Sequence, residues 1–151
     1  MTANIVFWDA PLTDQQLIRL TLLTEKVFGP LTKDRIKNKL KDKSAISVII
    51  ATNDSDDVLG FKIGFEATPN TYYSWLGAVA PNQQRKGLGK QLMAAQHMWC
   101  IHQGYQFVET KTLNKWRSML LLNIRSGFDI TGTREDDVHG TEILLRKRLK
   151  Q

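Results

Sequence analysis

The chain has 151 residues, of which 42% are hydrophobic and 24% charged, and it carries a formal net charge of +6 at pH 7. That length suits one domain over 1–151 with a single continuous core, and the composition is that of an ordinary globular protein. No apolar run nears the roughly 20 residues that cross a membrane, the lone Cys100 excludes an internal disulfide, and three scattered histidines give no metal-ligand spacing. The expectation is a reducing, cytoplasmic setting with no membrane and no metal.

In chain order, Ile5 to Trp8 reads as a short strand. Thr13 with Gln16 three residues later is a capping box, and Leu12 can staple onto Leu17. Leu17, Leu20, Thr24 and Val27 then form one buried stripe, and Gly29-Pro30 stops the helix. A basic second helix is expected from about Thr32, with Ile36 and Leu40 inward and the lysines of Lys33 to Lys43 on its outer face. Ala45 to Thr52 is a nearly continuous apolar, β-branched run, which predicts a strand covered on both faces. Asn53 to Asp57 is turn composition, so Val58 to Glu66 returns as a hairpin strand, and Pro69-Asn70 turns the chain again into Tyr72 to Val79. A helix follows from near Gly87 to Gly104, with Leu88, Leu92, Ala95 and Trp99 on one face. His97 and His102 on it read as surface histidines, and Cys100 as packing.

Phe107 to Thr112 is the next strand, parallel to its predecessor because a helix crosses over between them. Trp116 to Ser126 is the last helix, with Gly127 just beyond it. Phe128 to Thr133 and Glu142 to Leu149 close the chain as a hairpin around Arg134 to Asp137. The fold class is α/β with one mixed sheet. A second basic run, Arg146 to Lys150, adds to the positive charge. A solvated helix face is the favoured reading of this charge, with attraction of an anionic cofactor and weak nucleic-acid binding as the functional alternatives, and neither run carries the interleaved aromatics that single-stranded nucleic acid stacks on.

The chemistry concentrates in Val79-Ala80-Pro81-Asn82-Gln83-Gln84-Arg85-Lys86-Gly87-Leu88-Gly89-Lys90. A strand turning through glycines into a helix exposes free backbone N–H groups at the positive end of the helix dipole, where phosphate oxygens bind. Arg85, Lys86 and Lys90 add charge at the same place. A Walker loop is excluded because Gln91 follows Gly89-Lys90 and Gln84 stands where its first glycine is required. A dinucleotide fingerprint is excluded because Leu92 occupies the third glycine position.

A strand, Val-x-Pro, then Gln-x-x-Gly-x-Gly opening a helix resembles the acyl-CoA signature of the GNAT N-acetyltransferase superfamily. Asn114 after a strand, and a helix ending in Ser126-Gly127-Phe128, resemble the family's second segment. The resemblance implies a mostly antiparallel mixed sheet splayed between two strands and flanked by helices. It also implies acetyl-CoA as co-substrate, with pantetheine in the wedge on backbone groups of Gly77, Ala78 and Val79. Pyrophosphate would lie on the amides of Arg85, Lys86, Gly87, Leu88, Gly89 and Lys90, with Gln84, Asn114 and Asn123 completing the cofactor site. The implied reaction is direct acetyl transfer to a primary amine of a small molecule or a protein, with a homodimer as the commonest assembly.

Many members of that family place a tyrosine, which protonates the leaving sulfur, where this chain has Asn123. A neutral amide cannot act as a general acid near neutral pH. Some place a glutamate base where this chain has Tyr73. The catalytic candidates are therefore Glu66, at the end of the preceding strand, and Tyr73, with Glu109 as a second carboxylate. Tyr72, Tyr73 and Trp75 could wall an acceptor pocket. A non-catalytic acyl-CoA-binding or sensing domain is the alternative that the missing tyrosine leaves open.

Overall fold

The computed structural model describes residues 3–30 and 33–150. The elements run β1 (Asn4–Trp8), α1 (Asp14–Phe28), α2 (Lys33–Leu40), β2 (Ser47–Thr52), β3 (Val58–Thr68), β4 (Thr71–Val79), α3 (Leu88–His102), β5 (Phe107–Leu113), α4 (Arg117–Arg125), β6 (Asp129–Asp136) and β7 (Gly140–Arg148). The strands form one sheet in the order β1-β2-β3-β4-β5-β7-β6. Every neighbouring pair is antiparallel except β4 and β5, which a helical crossover makes parallel.

Local chemistry sets the boundaries. At the start of α1 the Gln16 amide donates to Thr13 Oγ1 at 3.1 Å and the Thr13 amide donates to Gln16 Oε1 at 2.9 Å, closing the capping box. The expected start of α2 at Thr32 lies outside the described residues. The last hairpin turns later than the sequence suggests, at residues 137–139 and not at Arg134 to Asp137. The Asp136 carboxylate accepts the amides of Val138 at 2.7 Å and His139 at 3.1 Å, and this local turn outcompetes the charged run as the break point.

The sheet is covered on both faces. Leu17, Leu20 and Leu23 of α1 and Ile36 of α2 pack on Val48, Ile50, Phe61 and Ile63. On the other face Met93 and Cys100 of α3 and Leu120 of α4 pack with Tyr72, Val108 and Leu145. Each such large side chain, once buried, contributes about 1.5–3 kcal/mol. All six residues of β2 are buried, as its continuous apolar run requires. Cys100 has no exposed surface, and burial pushes its thiol up to about 12, which makes it a packing residue.

The reading of His97 as a surface residue is corrected. His97 is 7% exposed, with its ring 5.6 Å from that of Phe128 and Nδ1 3.3 Å from Lys147 Nζ. The helix α3 packs on the sheet, where Lys147 of β7 reaches His97, and at His97 it also meets Phe128 of the segment after α4, so it buries a wider stripe that includes Gln96 and His97. Periodicity counted against one partner does not reveal the second. Among the described residues no helix is long and apolar enough to cross a membrane.

Candidate active site

The two parallel strands stay together for only three residues: Thr71, Tyr72 and Tyr73 pair with Phe107, Val108 and Glu109. Thr110 Oγ1 still reaches the Ser74 carbonyl at 2.9 Å, and beyond that β5 pairs only with β7. The edge of β4 from Trp75 to Val79 therefore faces β5 with no ladder. The cause lies on the other side of β4. Ile63 pairs with Leu76 but Gly64 pairs with Ser74, so Trp75 is an extra residue, a β-bulge that bends its strand. Gly64 permits the bend, because a Cβ there would lie 2.7 Å from the Tyr73 carbonyl oxygen and closer still to the Tyr72 ring.

The divergence opens a cavity of about 360 Å³ through the sheet. Phe28, Trp75 and Lys111 line it towards α1, and Lys62, Gly77 and Asn123 line it towards α4. Unpaired backbone N–H and C=O groups along such an edge form a template for an extended, amide-bearing ligand.

At its far end β4 passes through a 3-10 turn, Pro81–Gln83, into α3. Gln84 Nε2 donates to the Val79 carbonyl at 3.1 Å, so this side chain pins the turn to the strand. Arg85 takes φ +65 and Gly87 φ +82, both in the left-handed region. A Cβ at Gly87 would meet no protein atom within 4 Å, so backbone conformation and not crowding calls for glycine there. No side chain caps α3, and its first ladder bond is Gln91 N to Gly87 O at 3.1 Å. The amides of Leu88, Gly89 and Lys90 thus have no helical acceptor, at the positive end of a 15-residue helix. Arg85, Lys86 and Lys90 are exposed around them. Such free amides beside exposed cations can hold an anion.

The other residues singled out by sequence separate into those at the wedge and those away from it. Gly77, Ala78 and Val79 lie on the open edge. Asn123 is 3% exposed on α4, its carbonyl accepting the amides of Ser126 and Phe128 at 3.1 and 3.0 Å. Asn114 sits past β5, where its amide donates to the Thr141 carbonyl at 2.8 Å and ties the start of α4 to β7. Tyr73 faces α1 and α2, its ring 5.5 Å from Phe65. Burial, then the carboxylates of Glu142 and Glu109, push its hydroxyl up to about 12. It keeps its proton near neutral pH, so it cannot serve as a base.

Glu66 lies on β3. It pairs with Tyr72, at the closed end of the β4–β5 contact, and accepts the Tyr105 hydroxyl at 2.7 Å. It does not line the cavity.

Glu142 and Lys62 were not singled out by sequence, whereas Glu109 was. Glu142 opens β7, and only the insertion of β7 beside β5 brings it near Tyr73; its side chain is 14% exposed and pairs with Lys111 at 3.3 Å. Glu109, opposite Tyr73, stands 3.8 Å from Arg146 Nε. Lys62 is a cation between the buried Phe61 and Ile63 in the middle of β3. That signal was present in the alternation around Phe61 and Ile63.

Residues 15–116 match the Acetyltransferase (GNAT) family. The chain belongs to that family. GNAT membership makes it an acetyl-CoA-dependent acetyltransferase. No curated protein matches it in sequence. Among solved structures it is similar to a GNAT-family protein from Desulfovibrio desulfuricans, at 22% identity over 97% of this chain and 100% of that one, with a TM-score of 0.81. It is also similar to the ribosomal-protein-S18-alanine N-acetyltransferase of Escherichia coli (14% identity, 98% and 96% covered, TM-score 0.82). A third is a GNAT acetyltransferase from Elizabethkingia anophelis with acetyl-CoA bound (20% identity, 97% and 98% covered, TM-score 0.78). At such identities these structures share the fold: a seven-stranded mixed sheet flanked by four helices, as in other GNAT proteins.

Proposed function

We propose that the chain works as one N-acetyltransferase domain that moves an acetyl group from acetyl-CoA directly onto a primary amine of a small molecule or a protein. The observation that carries this reading is the unpaired edge of β4 running straight into the uncapped start of α3. The residues present fit the cofactor. Backbone groups of Gly77, Ala78 and Val79 would hold the pantetheine amides, and the amides of Arg85 to Lys90 the pyrophosphate, with Arg85, Lys86 and Lys90 as counter-charges. Gln84 shapes the turn, Asn123 lines the thiol end, and Asn114 fixes the helix that carries Asn123. Acetyl-CoA supplies an activated acyl group on a sulfur leaving group.

The acceptor side is the face towards α1 and α2. A free alkyl amine has a pKa of about 10.4 and arrives as an ammonium. Glu109 and Glu142, both beside Tyr73, draw that charge in, and the aromatic wall of Phe28, Trp75 and Trp116 desolvates it (the Phe28 and Trp116 rings lie 5.0 Å apart). Desolvation favours the neutral amine, which is the nucleophile. The E. coli relative acetylates an alanine of a ribosomal protein, an α-amino group, so a protein terminus stands beside small amines in the panel to be tested.

The test is a panel of primary amines and peptide N-termini, incubated with acetyl-CoA and read by thiol release, beside the melting temperature with and without CoA. Turnover with at least one amine supports the proposal. A CoA-dependent melting shift with no turnover on any acceptor would leave a sensing domain as the better reading.

A further inference from the structure

The usual source of a proton for the leaving thiolate is absent at position 123, but the thiol side of the wedge is not without a cation. Lys62 extends from the middle of β3 on the face shared with α3 and α4. It pairs across the ladder with Gly77, and its side chain folds over that glycine. A Cβ built on Gly77 would lie 3.6 Å from Lys62 Cγ and 3.7 Å from Nζ. Gly77 lies on the open edge of β4 and is the first of the three residues that the proposed function gives to the pantetheine. Lys62, Gly77 and Asn123 line one continuous cavity. A mid-strand lysine commonly meets a carboxylate, but among the described residues none forms an ion pair with Lys62.

We propose that Lys62 is the general acid of the acetyl transfer, giving a proton to the CoA sulfur in place of the hydroxyl that Asn123 cannot supply. The inference rests on the acetyl-CoA reading of the wedge. In the balanced step a neutral acceptor amine forms the new N–C bond to the acetyl carbon while the C–S bond breaks and its electron pair passes to sulfur. The Lys62 ammonium gives one proton to that sulfur and becomes a neutral amine. The proton lost by the acceptor nitrogen leaves through the Glu109 and Glu142 side, and Lys62 takes a proton from solvent before the next turnover.

The electrostatics of the site suit this exchange. Burial pushes the Lys62 ammonium down to about 8, beside a leaving thiol near 8.5 by analogy with cysteine. A donor and acceptor of matched acidity transfer a proton at little cost in either direction. From α3 the facing titratable group is His97, which burial, then Lys147 on β7 and Lys62 itself, push down to about 3, so it is neutral and no competing acid. Facing groups from β5 and α4, Thr112 and Asn123, do not titrate. Arg35, Lys111 and His139 border the cavity nearer the acceptor face, and Glu66 on β3 is engaged by Tyr105.

The experiment uses the full chain with CoA, Lys62→Met and Lys62→Arg, and three readouts. The CoA-dependent melting shift shows whether the wedge is filled. Thiolate absorbance against pH gives the thiol acidity of bound CoA. The pH profile of kcat reports the proton donor. In the wild type, the bound thiol should titrate at least one pH unit below free CoA, and kcat should fall as pH rises past about 8. Lys62→Met should keep the melting shift, return the thiol to its free acidity, and lower kcat about a hundredfold with KM for acetyl-CoA within about twofold. Lys62→Arg should keep the lowered thiol acidity, since its charge remains, yet lose most of kcat because guanidinium does not give up its proton. An unchanged thiol titration in Lys62→Met overturns the assignment. So does a rise in KM with kcat intact, or loss of the melting shift in that variant alone. If the wild type shows no melting shift with CoA, the wedge reading falls, and the assignment with it.

Discussion

The strands β4 and β5 behave in opposite ways at their two ends. At the closed end Thr71 to Tyr73 pair with β5, Tyr72 has no exposed surface, and its hydroxyl lies 2.7 Å from Ser47 Oγ and donates to the Ala45 carbonyl at 2.8 Å. At the open end, from Trp75 to Val79, no ladder joins the strand to β5, Trp75 to Gly77 line a cavity, and the strand runs on into a helix without a side-chain cap. The closed end satisfies its polar groups internally and contributes stability. The open end leaves the edge that faces β5 without a ladder, at a cost in stability, and thereby creates binding capacity. One inserted residue, Trp75, separates the two regimes.

The largest expected effect falls on the open end. CoA at a hundredfold excess over its Kd should stabilise the wild type by about 2.7 kcal/mol, seen as a raised melting temperature. Gly87→Val forces a β-branched residue to φ +82 beside the uncapped amides, and should abolish that shift while the far-UV spectrum stays intact. A full shift in the variant would remove the glycine turn from the cofactor site.

Asn123→Ala, also at the open end, should lower kcat about tenfold to a hundredfold without moving any titration in the pH–rate profile, since an amide positions and does not transfer protons. A titration that vanished with Asn123 would contradict this.

Behind the closed end, His97 tests the packed face against acid. Its folded-state pKa is depressed to about 3 from the usual 6.5, so it is neutral in the fold and takes up a proton on unfolding. Stability should be full above about pH 6.5 and fall as the pH drops towards 3, by up to about 1.4 kcal/mol per pH unit. In His97→Gln the melting temperature should decline less steeply over that window, and an equal slope would assign the acid sensitivity to other groups.

The smallest effect belongs to Glu66. With its carboxylate held by Tyr105 at the closed end, Glu66→Gln should leave kcat within about a factor of two. A hundredfold loss would return it to the catalytic machinery and redraw the boundary between the ends.

Local pattern was enough for the elements, because caps, turn residues and hydrophobic period act within a few residues. The capping box of Thr13 and Gln16, the buried run of β2 and the glycine turn before α3 could all be read in one dimension. The phosphate-type anion site was legible for the same reason: strand, turn and helix N-terminus are contiguous, and their N–H groups belong to neighbouring residues. The other half of the site was not legible. Glu142 meets Tyr73 only because β7 inserts between β5 and β6. His97 is buried only because α3 has partners on two sides. Lys62 meets Gly77, and Glu66 meets Tyr72, only through the register of β3 on β4. Contacts across a sheet depend on strand order and on where a bulge shifts the ladder. Both are decided by how the faces pack together, and no spacing along the chain encodes them.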